Sequence, residues 1–190
     1  ATVIPTEKGV SLLADSGANV DCRPEHLIQF AVMGNAYAEK VLKIDRPRVA
    51  LLNIGAEEEK GNELTREVYQ LLKERKDMNF IGNIEASEVS CGKADVIVCD
   101  AFAGNMVLKM YEGTAKTFLK MLKETFVENF KNKLAAVILL KSLKPKLKAY
   151  DVDQYGGAPL LGLTALVVKA HGNSKPLSFR VAILQCVKFK

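Results

Sequence analysis

Lys93-Ala94-Asp95-Val96-Ile97-Val98-Cys99-Asp100-Ala101-Phe102-Ala103-Gly104-Asn105 decides the fold of this chain. Val96 to Cys99 is a short apolar run with β-branched residues, bounded by charge, and it predicts a buried strand. Asp100 ends that run, a turn of small residues follows, and Asn105 is a good residue for capping a helix N-terminus. Beyond it, Val107, Leu108, Tyr111, Ala115, Phe118, Leu119, Leu122 and Phe126 recur at helical spacing on one face. Buried strand, polar turn and amphipathic helix together predict an open α/β sheet. In such sheets ligands sit outside the carboxyl ends of the strands, where helix N-termini offer N–H groups to anions.

The plan recurs along the chain. Val10–Ala14 leads into Asp15-Ser16-Gly17-Ala18-Asn19-Val20-Asp21 and a helix opening near Pro24. Val49–Ile54 leads through Gly55 and an acidic loop to the helix Glu63–Arg75, and Leu163–Ala170 leads into His171-Gly172-Asn173-Ser174. These units share no repeated sequence, so they are layers of one fold rather than a solenoid.

The formal charge of +5 is local. Lys131 to Tyr150 carries six lysines, at 131, 133, 141, 144, 146 and 148, and no acid. The rest of the chain holds 21 basic against 22 acidic residues, 27 less 6 against 22, which argues against a general nucleic-acid surface. Leu134, Val137, Ile138, Leu139, Leu140, Leu143 and Leu147 interleave with those lysines, and Pro145 is expected to break the run. A basic amphipathic stretch of this kind suits an anionic membrane surface or an acidic partner, or else packs on its own protein or a second subunit. No run is long enough to span a bilayer. Four cysteines without a C-x-x-C pair predict reduced thiols.

Common nucleotide, hydrolase and metal motifs fail. Gly157 to Thr164 approaches P-loop spacing, but Leu163 stands in the place of the lysine. No G-x-G-x-x-G follows a strand, no G-x-S-x-G elbow is present, and two histidines without a Cys/His cluster give no basis for zinc. Position nominates the remaining candidates. His171, Lys169, Asn105 and Asp100 stand where catalytic groups would, and Asp15, Gly17, Asn19, Asn53 and Gly104 where a substrate would bind. Turn closure is the competing role for His171, Asp15 and Asp100. Cys22 has nothing nearby in sequence to activate it, and His26 reads as a surface or capping residue.

Leu13-Ala14-Asp15-Ser16-Gly17-Ala18-Asn19-Val20-Asp21-Cys22-Arg23-Pro24-Glu25-His26-Leu27 resembles a hallmark of the bacterial phosphate acyltransferases of phospholipid synthesis. The same holds for Leu51–Gly55 with Lys60–Leu64, Asn79–Glu85, Ala94–Asp100 with Phe102, Gly104 and Asn105, Tyr155–Gly162, and Lys169–Gly172. The motifs run in family order over essentially the whole chain. The resemblance implies transfer of a fatty acyl group from acyl carrier protein to inorganic phosphate, without a cofactor or a metal. It also implies a three-layer α/β/α architecture like that of isocitrate and isopropylmalate dehydrogenases, with a protruding helical hairpin. It implies a homodimer, cytoplasmic and peripherally associated with an anionic membrane through a basic helical tip over 129–150. Lys141, Lys144, Lys146 and Lys148 would make the membrane or carrier contact, and a membrane glycerol-3-phosphate acyltransferase would consume the acyl phosphate.

Three departures qualify the resemblance. The glycine-rich motif at the family's N-terminus has no counterpart here, Lys190 falls short of the usual terminal helix, and Ala101 stands where the family usually has glycine. The chain is therefore expected to be the C-terminal portion of a phosphate acyltransferase. Two rival readings remain: a non-catalytic remnant that dimerises or binds membrane or carrier protein, and a phosphotransacetylase acting on short acyl-coenzyme A.

Overall fold

The computed structural model describes residues 1–150, 157–170 and 176–188. The chain divides into two compact units, Ala1–Asn105 with Val152–Lys190, and Met106–Asp151. The Ala1–Asn105 part of the first unit runs β1 (Thr2–Thr6), β2 (Gly9–Ala14), α1 (Pro24–Lys40), β3 (Arg48–Asn53), α2 (Glu63–Glu74), β4 (Asn79–Glu85), a 3₁₀ helix (Ala86–Cys91) and β5 (Val96–Val98). They form a five-stranded sheet in the order β1-β2-β5-β3-β4, parallel except for the antiparallel hairpin β1–β2. The α/β expectation stands as a mixed fold around a central, mostly parallel sheet.

Alternation along the central strands explains the packing. Val49 and Leu51 of β3 and Val96 and Val98 of β5 point to the face where Leu27 and Ala31 of α1 and Val68 and Leu72 of α2 meet them. Ala50 and Ile97, pointing the other way, are equally buried, so these strands are covered on both faces as parallel strands require. At the amino ends of β3 and β5, Arg48 grips Asp95: Nε donates to Oδ2 at 2.9 Å and a terminal guanidinium nitrogen donates to Oδ1 at 2.8 Å. Burial alone would raise the Asp95 pKa, and the Arg48 guanidinium and N–H more than reverse it, leaving the carboxyl below its ordinary value. This bidentate pair fixes the register at the end of the sheet away from the predicted site.

Two sequence expectations need correction here. Leu163–Ala170 does not form a further strand of the main sheet. Only β7 (Val168–Lys169) is extended, paired antiparallel with β6 (Ala158–Pro159) in a separate two-stranded sheet. Gly162, at φ +81°, turns the chain back, and the Leu160 N–H donates to the Val167 carbonyl across the bend. The other correction concerns Pro145. Helix α3 (Ala101–Val127) is followed by α4 (Phe130–Ala149), which continues through Pro145. Proline removes one N–H, and the carbonyl left unbonded belongs to the exposed Lys141, where water can reach it.

In the second unit, Asn129 caps α4 by accepting the Asn132 N–H at 2.9 Å. Of the predicted apolar face on α3, Leu108 is buried, Val107, Tyr111, Ala115, Leu122 and Phe126 are half-buried, and Phe118 and Leu119 are exposed. Helix α4 exposes Phe130, Leu134 and Val137 to Leu140 alongside its lysines. The last described element, α5 (Pro176–Lys188), belongs to the first unit.

Candidate active site

At the carboxyl edge of the sheet the chain passes from β2 into a loop built around one carboxylate. Asp15 Oδ1 accepts the N–H of Gly17 at 2.9 Å and of Ala18 at 3.0 Å, while Oδ2 accepts the Asn19 N–H at 2.8 Å and its side-chain amide at 3.1 Å. Burial pushes the Asp15 carboxyl upward, but these donors outweigh it and hold the group below its ordinary value of 3.8. Asp15 is therefore an anion whose lone pairs are taken up locally. The consequence for the site is direct: the backbone N–H of Gly17 and the Asn19 amide, on residues expected to bind substrate, are engaged with Asp15. Gly17, at φ +152° with open space around its α-carbon, gives the loop its turn.

The adjacent strand, β5, ends one residue before Cys99 and leads into α3. Here the cap is Asp100, not Asn105: Asp100 Oδ1 accepts the Ala103 N–H at 2.7 Å and its carbonyl accepts the Gly104 N–H at 3.0 Å. Asn105 lies inside the helix, exposed, and its amide has no hydrogen bond among the described residues. The apolar periodicity begins only at Val107, so it places the cap too late. Of the first four N–H groups of α3, Ala101 donates to the Asn19 carbonyl at 2.9 Å, and Ala103 and Gly104 are engaged as above. The Phe102 N–H is left without a partner among the described residues.

The two loops meet closely. A Cβ on Gly104 would lie 1.9 Å from the Asp15 carbonyl oxygen and 2.8 Å from Cys99 Sγ, so only glycine lets the helix approach this far. Cys99 is buried, its thiol donates to the Asp15 carbonyl at 3.2 Å, and burial pushes its pKa well up. Cys22 donates to the Asn19 carbonyl at 3.3 Å and is also raised, by burial and by the nearby Asp100 and Asp15 charges. Neither thiol is activated as a nucleophile. All four cysteines are free.

Asn53, at the end of β3, plays the part of Asp15 for the next loop. Its amide donates to the Lys60 carbonyl at 3.1 Å and its oxygen accepts the Ile54 N–H at 2.9 Å. Gly61 packs against it at φ +96°, and an added Cβ would sit 2.4 Å from Asn53 Oδ1. The structure thus brings Asp15, Gly17, Asn19, Asn53, Asp100, Gly104 and Asn105 to one sheet edge, with most of their polar atoms holding the loops. Lys169 is exposed on β7 of the two-stranded sheet, and His171 lies outside the described residues. Lys141, Lys144 and Lys146 are exposed on α4, where Lys148 also stands. His26, in the first turn of α1, accepts the Arg23 N–H at 3.3 Å as part of a capping box, the role expected for it. Sequence reasoning missed Phe102, whose free N–H follows only once Asp100 is known to be the cap. A separate open cleft of about 420 Å³, lined by Arg46, Lys73 and Arg75 with Tyr69 and Phe80, lies where β4 begins, at the opposite end of the strands.

A family model described as fatty acid synthesis protein matches residues 1–190. Phosphate acyltransferases of Alkaliphilus oremlandii and of Clostridium perfringens strain SM101 are 50% and 51% identical to the chain over 189 residues, covering all of it and 56% of each relative. That of Brevibacillus brevis is 51% identical over 187 residues, covering 98% of the chain and 56% of the relative. The chain thus spans about half the length of the relatives it matches. Among solved structures, the EutD phosphotransacetylase from Staphylococcus aureus superposes on 98% of the chain and 52% of its own length, with a TM-score of 0.58 and 16% identity. At that identity the likeness is one of fold.

Proposed function

The chain belongs to the fatty acid synthesis protein family, and on that premise we propose that it forms part of a phosphate acyltransferase, transferring a fatty acyl group from acyl carrier protein to inorganic phosphate. The observation that carries this reading is an identity of about half to enzymes of that name over the whole length of the chain. The architecture of isocitrate and isopropylmalate dehydrogenases belongs to the same proposal.

The chemistry asks the protein for position and electrostatics rather than for a covalent intermediate. An oxygen of monohydrogen phosphate attacks the thioester carbonyl, the tetrahedral intermediate collapses with loss of the C–S bond, and the proton carried by phosphate ends on the departing thiol. Acyl phosphate and free thiol result. Asn105, exposed and unengaged among the described residues, is suited to hold the phosphate, and the Phe102 N–H, unpartnered among those residues, is suited to the developing oxyanion. Asp15 and Asn53 act as positioning residues that hold their loops. Asp100 keeps the start of α3 in place with Oδ1, which leaves Oδ2 to relay the phosphate proton. Lys169 or His171 is proposed to neutralise phosphate charge, and His171 to pass the relayed proton to the thiolate.

The proposed setting is a cytoplasmic homodimer at an anionic membrane surface, feeding a membrane glycerol-3-phosphate acyltransferase. The exposed apolar residues and the lysines of α4, Lys141, Lys144, Lys146 and Lys148 among them, support that placement. Among the described residues no helix is long and apolar enough to cross a membrane.

The likeness in fold to a phosphotransacetylase favours a second reading, in which the donor is short acyl-coenzyme A. Trapping acyl phosphate as its hydroxamate separates the two. The proposal expects product from palmitoyl-acyl carrier protein in excess of that from acetyl-coenzyme A. The reverse order supports the second reading, and no product from either by folded protein supports a binding remnant.

A further inference from the structure

Three large apolar side chains stand exposed where this sheet edge is otherwise polar: Val20 at 55%, Ile54 at 82% and Phe102 at 61%. Each follows a different strand: Val20 comes after β2, Ile54 directly after β3, and Phe102 in the first turn after β5. These strands are neighbours in the order β2-β5-β3. The hydrogen bond from the Ala101 N–H to the Asn19 carbonyl brings the two chain segments together, and Val20 and Phe102 are the residues that follow its two ends. Ile54 stands three residues beyond Leu51, the register partner of Val98, and Phe102 four beyond Val98, so both follow the same end of two paired strands. Isolated exposed apolar residues need no explanation, but three on adjacent strands around one candidate site do.

We propose that Val20, Ile54 and Phe102 form an apolar rim that contacts the acyl chain of the thioester and selects long chains over short ones. The inference rests on the acyl-transfer reading and adds to it the residues that would recognise the hydrocarbon part of the substrate. The two halves of such a substrate match the two kinds of surface at this edge. The reacting carbonyl and phosphate need polar groups, offered here by Asn105 and Asp100. The methylenes beside the carbonyl need apolar cover, offered within the same few residues by Phe102 and Val20. A longer chain reaches more of the rim, and each methylene removed from water adds roughly 0.8 kcal/mol. A site for acetyl groups alone would have no use for a rim that extends across three strands to Ile54.

The chain contains no tryptophan, so Phe102→Trp installs a single reporter at a position where a large exposed aromatic already stands. On titration with palmitoyl-pantetheine below its micelle concentration, the emission of this variant is expected to move to shorter wavelength and to saturate. Acetyl-pantetheine should leave it unchanged. Leu71→Trp, on the outer side of α2, should respond to neither and so controls for detergent-like adsorption. The proposal is overturned by no shift with palmitoyl-pantetheine, by an equal shift with the acetyl compound, or by an equal shift at Leu71→Trp. A shift produced by phosphatidylglycerol vesicles and not by palmitoyl-pantetheine would also overturn it, assigning the rim to a membrane. An emission already short without ligand and dependent on protein concentration would assign it to a second copy of the chain. Turnover by the unaltered protein is scored separately. A saturable shift without acyl phosphate removes the acyl-transfer reading and keeps the apolar contact, whereas acyl phosphate without a shift does the opposite.

Discussion

The loop after β2 and the first turns of α3 lie against each other at one sheet edge and use their polar groups in opposite ways. Around Asp15 everything is closed: three backbone N–H groups and the Asn19 amide are spent on one carboxylate. At the start of α3, Asp100 engages one oxygen, the Phe102 N–H has no partner among the described residues, and Asn105 points its amide outward with none. Groups already paired stabilise a shape, and groups left unpaired at an exposed sheet edge are available to a ligand. The contrast supports the proposal that the first segment is scaffold and the second contacts substrate.

The largest expected effect comes from breaking the closed loop. Asp15→Ala leaves four donors without their acceptor and should cost about 3 kcal/mol of stability, read as the shift in urea unfolding midpoint multiplied by its slope. A loss below about 1 kcal/mol would put the loop in the same open class as the helix start. Next comes the contact between the two segments. Gly104→Ala drives a Cβ to 1.9 Å of a backbone oxygen that cannot rotate away, so a loss of about 2 kcal/mol is expected in the same measurement.

A smaller effect is expected in acid, and its sign follows from the depressed Asp15 pKa. A carboxylate whose folded pKa lies below its unfolded value stabilises the fold fully above the unfolded value. That contribution disappears as pH falls through the folded one. Wild-type stability should therefore begin to drop as pH falls below the ordinary 3.8, with Asp95 contributing in the same direction. Asp15→Asn should flatten that limb in urea midpoints taken across the acid range, and an unchanged limb would remove Asp15 from the account.

Much of the fold was legible because central elements carry strong periodic signals. Val10–Ala14, Val49–Asn53 and Val96–Val98 are buried on both faces and read as apolar runs; the helix at Glu63 opens on the cap Asn62 and the other on a first-turn proline, Pro24. The edge strands were not read. Asn79-Phe80-Ile81-Gly82-Asn83 is interrupted by a glycine at φ +95° and is half-exposed, and Thr2–Thr6 is the antiparallel edge, so neither presents a clean alternation. Leu163–Ala170 had the composition of a strand, but Gly162 sets its path. At the site, sequence position brought the right loops together without distinguishing a donor that is free from one that is spent. That distinction depends on which partner each N–H finds in three dimensions, as with Gly17 and Asp15.

The most direct test of the contrast is the rate of acyl-phosphate formation by Asn105→Ala, measured as hydroxamate beside its urea midpoint. The account predicts a rate at least tenfold below wild type with stability changed by no more than about 0.5 kcal/mol, the range of an exposed side chain away from the core. An unaltered rate, or a fall in rate accompanied by an equal fall in stability, would contradict it.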